Sequence, residues 1–179
     1  MSNDDRVRWV AFVRNVMVGR EGLGREQLLD VARRAGAEDV RSHITTGNLT
    51  FTAADDPDAL ARQLEEGVSA VIGRQELVAV RRLQWVRELV DTTPFAGLDT
   101  DAWSTEVALL RHDAPSLDAA ALGDTQRTVI VRVLDREVLA ARPRDGGRRP
   151  HVNPLTERAS GRPATSRGWS TLERIADSG

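Results

Sequence analysis

The chain has 179 residues, 40% of them apolar and 29% charged, with a net charge of −2, a balance that belongs to globular proteins rather than disordered or fibrous ones. Cysteine, lysine and tyrosine are all missing, which excludes disulfides, thiolate nucleophiles and metal sites, lysine Schiff bases, the phosphate-loop lysine and a tyrosine acid or base. No uncharged apolar run approaches the roughly 18 residues of a spanning helix, and residues 1–6 lack the basic and apolar regions of a signal peptide, so a cytoplasmic setting with no membrane partner is expected.

Residues 7–13 read as a strand in which Val7, Trp9 and Ala11 alternate with Val10 and Phe12, so both faces look buried. A loop with Gly19, Gly22 and Gly24 follows, then Leu28, Val31, Ala32 and Ala35 at helical spacing, with Gly36 where a C-terminal cap belongs. Val40, Ser42 and Ile44 alternate, as do Leu49 and Phe51, around Thr45-Thr46-Gly47-Asn48, which predicts a hairpin. Asp56 and Pro57 start a helix striped by Leu60, Leu64, Val68 and Val71 and ended by Gly73. A strand at 76–80 completes the order β-α-β-β-α-β, the ferredoxin-like pattern.

Leu83, Val86 and Val90 mark a connecting helix that stops before Pro94, and residues 94–103 read as a linker. Beyond it the pattern predicts a strand at 105–110, a helix at 115–122 closed by Gly123, and strands at 128–134 and 137–141 turning at Asp135-Arg136. Helices at 153–160 and 170–176 follow, the last opened by a capping box of Ser170 and Glu173. The second half thus reads β-α-β-β-α-α. The expected fold is α+β: two ferredoxin-like halves, residues 1–93 and 94–179, packed into one compact unit.

Three stretches stand out together: Val10-Ala11-Phe12-Val13-Arg14-Asn15-Val16-Met17-Val18-Gly19, Ile44-Thr45-Thr46-Gly47-Asn48-Leu49-Thr50-Phe51, and Pro163-Ala164-Thr165-Ser166-Arg167-Gly168-Trp169-Ser170-Thr171. Their order and spacing, with Pro94-Phe95 and Asn153 between them, resemble the bacterial family called domain of unknown function 1697. Its members read Leu-Arg-Gly-Ile-Asn-Val-Gly, Ser-Gly-Asn-Val-Val-Phe and Ala-Thr-Thr-Arg-Asn-Trp-Asn-Thr at these places. The resemblance implies an α+β fold of two related halves and brings no established activity. This chain departs from the pattern at Asn15, Met17, Thr45, Thr46, Gly168 and Arg149-Pro150, while Gly47, Asn48, Arg167 and Trp169 keep it.

Three segments carry candidate chemistry. Gly19-Arg20-Glu21-Gly22-Leu23-Gly24, between a strand and a helix, can aim backbone N–H groups at an anion beside Arg14, Arg20 and Arg25; glycine serves a plain connecting turn equally well. The stretch around Arg167 gathers hydroxyls, a guanidinium and a helix start, suited to phosphate or carboxylate. Its structural reading makes Ser170 a cap, Trp169 a core residue and Arg167 a neutraliser of a neighbouring helix C-terminus, whereas the ligand reading makes Arg167 a surface arginine that matters more for binding than for folding. The arginine-rich run 142–151 reads as a solvated loop with no aromatic for base stacking. His43, His112 and His151 show no metal-ligand spacing, and neither a metal nor a cofactor is expected.

An isoelectric point near 6.0 makes nucleic acid an unexpected partner. The leading expectation is a small anionic or nucleotide-like ligand in a cleft between the halves. Arg14, Asn15, Gly19, Gly47, Asn48, Arg167, Trp169 and Ser170 would bind it, with no catalytic residue assigned. A non-enzymatic nucleic-acid-binding module, by fold analogy, and a dimerising interaction module are the alternatives.

Overall fold

Alternation on both faces of the first strand is realised in a central strand of a four-stranded antiparallel sheet. The computed structural model describes residues 6–20, 22–43, 47–122, 128–144 and 151–178, and the chain divides into two units, Met1–Val86 and Arg87–Gly179. The first contains β1 (Arg6–Val13), α1 (Arg25–Arg34), β2 (Glu38–His43), β3 (Asn48–Ala54), α2 (Pro57–Ile72) and β4 (Val78–Arg82), in the β-α-β-β-α-β order expected. Its sheet runs β2-β3-β1-β4. Trp9, Ala11 and Val13 share one face with Leu49, Phe51, Val78 and Val80, and this face packs with Leu28, Val31, Leu60, Leu64 and Val68 of the two helices. Val10, Phe12, Asn48, Thr50 and Ala79, on the other face, are buried as well. Each fully buried large apolar side chain contributes roughly 1.5–3 kcal/mol.

Local signals end the helices where expected. Asp56 accepts the Ala59 N–H at 2.9 Å, and Gly73 closes α2 at φ 74°. The fourth strand, however, starts at Val78 rather than residue 76. Residues 76 and 77 are occupied otherwise: Leu77 O accepts the Arg14 N–H at 2.8 Å, and the Glu76 carboxylate binds arginine side chains.

After α3 (Leu83–Asp91), the second unit repeats the strand order with β5 (Trp103–Leu110), β6 (Val129–Val133), β7 (Glu137–Pro143), α4 (Val152–Ser160), β8 (Ala164–Gly168) and α5 (Trp169–Ala176). This sheet runs β6-β7-β5-β8. One edge strand of each sheet, β2 and β6, carries a register shift, between Glu38 and Arg41 and between Ile130 and Arg132, a twist that discourages edge-to-edge pairing. Among the described residues no helix is long and apolar enough to cross a membrane.

Two expectations for this half are corrected. The helix at 115–122 is only a 3-10 turn at Ala119–Leu122. Its leading residues bond outward instead: the Leu117 N–H reaches Asp135 O at 2.7 Å, Ser116 binds the Asp135 carboxylate, and Asp118 caps Ala120. Gly123 lies outside the described residues. Secondly, the order is not β-α-β-β-α-α, because residues 164–168 form β8, paired antiparallel to β5. The strand runs directly into α5, whose N-cap is Gly168 with no side-chain cap bond, so the predicted Ser170 and Glu173 capping box is absent.

Candidate functional site

The first two sequence motifs meet at one end of the first sheet. As β1 ends, the Val13 N–H donates to Gly47 O at 2.9 Å, and Phe12 lies opposite Asn48. Gly47 has φ +67°, and a Cβ there would overlap Val16 Cγ2 and come within 3.1 Å of Val13 Cβ. Only glycine lets the loop after β1 close against this turn. Asn48 is fully buried and donates from Nδ2 to His43 O at 3.2 Å, tying the hairpin together. Ile44, Thr45 and Thr46 lie outside the described residues. His43 Nε2 sits 2.7 Å from Thr50 Oγ1, and burial, followed by the charges of Arg41 and Arg8, holds its pKa below the ordinary value.

Arg14 and Asn15 project from this end. Asn15 takes φ +50°, a left-handed conformation that asparagine tolerates better than most residues. Arg14 NH1 lies 3.4 Å from Glu76 Oε2, Asn15 Nδ2 lies 3.4 Å from the same oxygen, and Arg74 Nε lies 2.8 Å from Oε1. Arg74 also donates to Asn15 O at 3.0 Å. Glu76 is buried while both guanidiniums remain partly exposed. Neither Arg74 nor Glu76 stood out in sequence; Arg14 and Glu76 are 62 positions apart.

Gly19 belongs to the same loop but is directed otherwise. At φ +93° its N–H donates to Leu23 O, the Arg20 N–H to Met17 O and the Leu23 N–H to Arg20 O. These amides close the loop on itself. Met17, where family members carry asparagine, is 45% exposed.

The third motif lies in the second unit. Arg167 is not the surface residue expected: it is buried on β8, and its NH1 donates to Thr165 Oγ1 at 2.8 Å and Ser166 O at 2.7 Å. Burial brings its pKa down to about 10. Trp169 is buried against Phe95, ring centroids 5.1 Å apart and edge-on at 73°, so the apparently featureless linker supplies a packing partner. Ser170 is exposed in the first turn of α5.

Sheet register exposes a residue that sequence reading missed. Arg81 lies opposite Val10 just as Arg167 lies opposite Val107, each two residues before a helix. Both arginines are buried, and Arg81 NH1 donates to the preceding carbonyl, Val80 O, at 2.7 Å, as Arg167 does to Ser166. The Arg81 guanidinium also sits 5.6 Å from the Trp85 ring centre.

Residues 7–139, which include the first two motifs, match a family described as protein of unknown function (DUF1697). The chain belongs to this family. The match to DUF1697 ends before the third motif. A solved structure, that of conserved bacterial protein SP0830 from Streptococcus pneumoniae, is similar over 96% of this chain and 97% of its own, with a TM-score of 0.67 and 16% identity. That likeness shows a shared fold. No curated protein matches the sequence.

In this DUF1697 protein the described residues contain no group of three or more histidines and acids arranged to hold a metal ion. The basic run is only partly a loop. Arg142 and Pro143 extend β7, Arg144 donates to Thr100 O and Trp103 O at 3.0 Å each, and residues 145–150 lie outside the described residues.

Proposed function

We propose that this protein binds a small anionic or nucleotide-like ligand, and that its anionic group is held at the Arg14, Asn15, Arg74 and Glu76 cluster. The observation that carries the reading is the convergence of two guanidiniums and an amide on one buried carboxylate. A buried carboxylate must be paired, and breaking such a pair is costly. Glu76 therefore holds both arginines in place ahead of any ligand, and their forked N–H groups suit phosphate or carboxylate oxygens. The halves are of ferredoxin-like order, and the Streptococcus relative supports a bacterial setting; a cytoplasmic one would supply phosphorylated metabolites.

The experiment is a thermal-shift and calorimetric screen of pyrophosphate, ATP and citrate against wild type, Arg14→Ala and Arg74→Ala. At least one anion stabilises the wild type, and each substitution weakens it ten- to hundredfold, the roughly 1.5–3 kcal/mol of a charge-assisted hydrogen bond. Absence of any stabilising anion, or wild-type affinity retained in both variants, overturns the reading.

A further inference from the structure

The first half of the chain serves as an internal control for the second. Sheet register places Trp9 opposite Phe51 and, at the equivalent position of the other sheet, Glu106 opposite Ala140; Ala53 lies opposite Val7 as Arg142 lies opposite Ser104. The N-cap of α2 is Asp56 and that of α4 is His151. The first half thus closes this corner with an indole 3% exposed and an alanine 1% exposed, so the architecture does not require polar groups here. The second half has Glu106, Arg142 and His151 instead, at the desolvation cost of a carboxylate only 6% exposed.

These three side chains converge. Glu106 Oε1 accepts the Val152 N–H at 3.0 Å and lies 3.6 Å from Arg142 Nε, while Oε2 lies 3.5 Å from His151 Nδ1. Two polar atoms nearby in sequence or space, Arg142 Nε and Asn153 Oδ1, are buried without a hydrogen-bond partner. The His151 side chain is 59% exposed. A buried carboxylate behind one ring nitrogen of an exposed histidine is the relation in which an acid orients an imidazole and sets its tautomer.

We infer that Glu106, Arg142 and His151 form a second polar site, separate from the Arg14 cluster, in which His151 acts as a nucleophile toward small phosphoryl donors. Glu106 accepts the Nδ1–H and leaves the Nε2 lone pair facing solvent. Arg142 holds the phosphoryl oxygens. With phosphoramidate as donor, Nε2 attacks phosphorus, the P–N bond breaks, ammonia departs with its electron pair, and Nε2 carries the phosphoryl group.

The test treats the full chain with phosphoramidate at neutral pH and follows labelling of each histidine by 31P NMR and peptide mass mapping. His43 and His112 report general imidazole reactivity. His151 is labelled at least about tenfold faster than either, and Glu106→Gln and Arg142→Ala each slow it about tenfold, equivalent to ~1.4 kcal/mol, while His43 and His112 are unchanged. Labelling of His151 at the rate of the other two, or at a rate indifferent to both substitutions, overturns the inference. Circular dichroism checks each variant, and if Glu106→Gln does not fold, Arg142→Ala decides alone. Because the labelled atom is on His151, the outcome is independent of whether the Arg14 cluster binds anions.

Discussion

Replacing Gly47 by alanine separates two costs that two glycines of the first unit carry differently. At Gly47, φ +67° puts any L side chain in the left-handed region, and the added methyl overlaps Val16 Cγ2 with Val13 Cβ only 3.1 Å away. The left-handed conformation costs about 1–2 kcal/mol, and forcing a methyl into a packed place adds roughly 1–3 kcal/mol. Valine cannot readily rotate out of the way, because branching at Cβ restricts its χ1. The expected loss for Gly47→Ala is therefore about 2–5 kcal/mol. Gly19 supplies the comparison, since at φ +93° a Cβ would meet nothing within 4 Å, and Gly19→Ala pays the conformational part alone. Urea unfolding of wild type and both variants, read by tryptophan fluorescence, measures the difference directly. Gly47→Ala falls below Gly19→Ala by about 1–3 kcal/mol. Equal losses would refute the close approach of the Val16 loop to the hairpin turn, and with it the placement of Arg14 and Asn15.

Arg167→Ala empties a buried position and removes donors to Thr165 Oγ1 and Ser166 O, so it destabilises by about 2–4 kcal/mol in the same urea assay; a change within about 0.5 kcal/mol would mark it as exposed. The His43 imidazole has its pKa held below the ordinary 6.5 by burial and then by Arg41 and Arg8, so the unfolded chain takes up the proton first. Stability present above pH 6.5 is lost as pH falls from there through the depressed folded value. A His43→Gln variant has a flatter Tm profile across that window, and a profile as steep as wild type would show that other groups control it.

How much was legible in sequence differs element by element. Alternating Trp9, Ala11 and Val10, Phe12 declared a strand buried on both faces, and Asp56-Pro57 and Gly73 bounded α2 through bonds made within a few residues. The hairpin at Gly47 and the relation to DUF1697 were readable for the same reason: turn chemistry and short motifs are local. Ala164-Thr165-Ser166-Arg167-Gly168 shows no apolar alternation, and it became β8 only because β5 offers a strand edge whose backbone groups need partners. Residues 115–118 were drawn out of their helix by the carbonyl and carboxylate of Asp135. The polar sites depended on distance in the same way. Glu76 is joined to Arg14 across 62 positions, and Glu106 to His151 across 45. Periodicity states which side of an element avoids water. Which distant backbone edge or charge that element meets is settled by strand register, and register is a property of the assembled sheet.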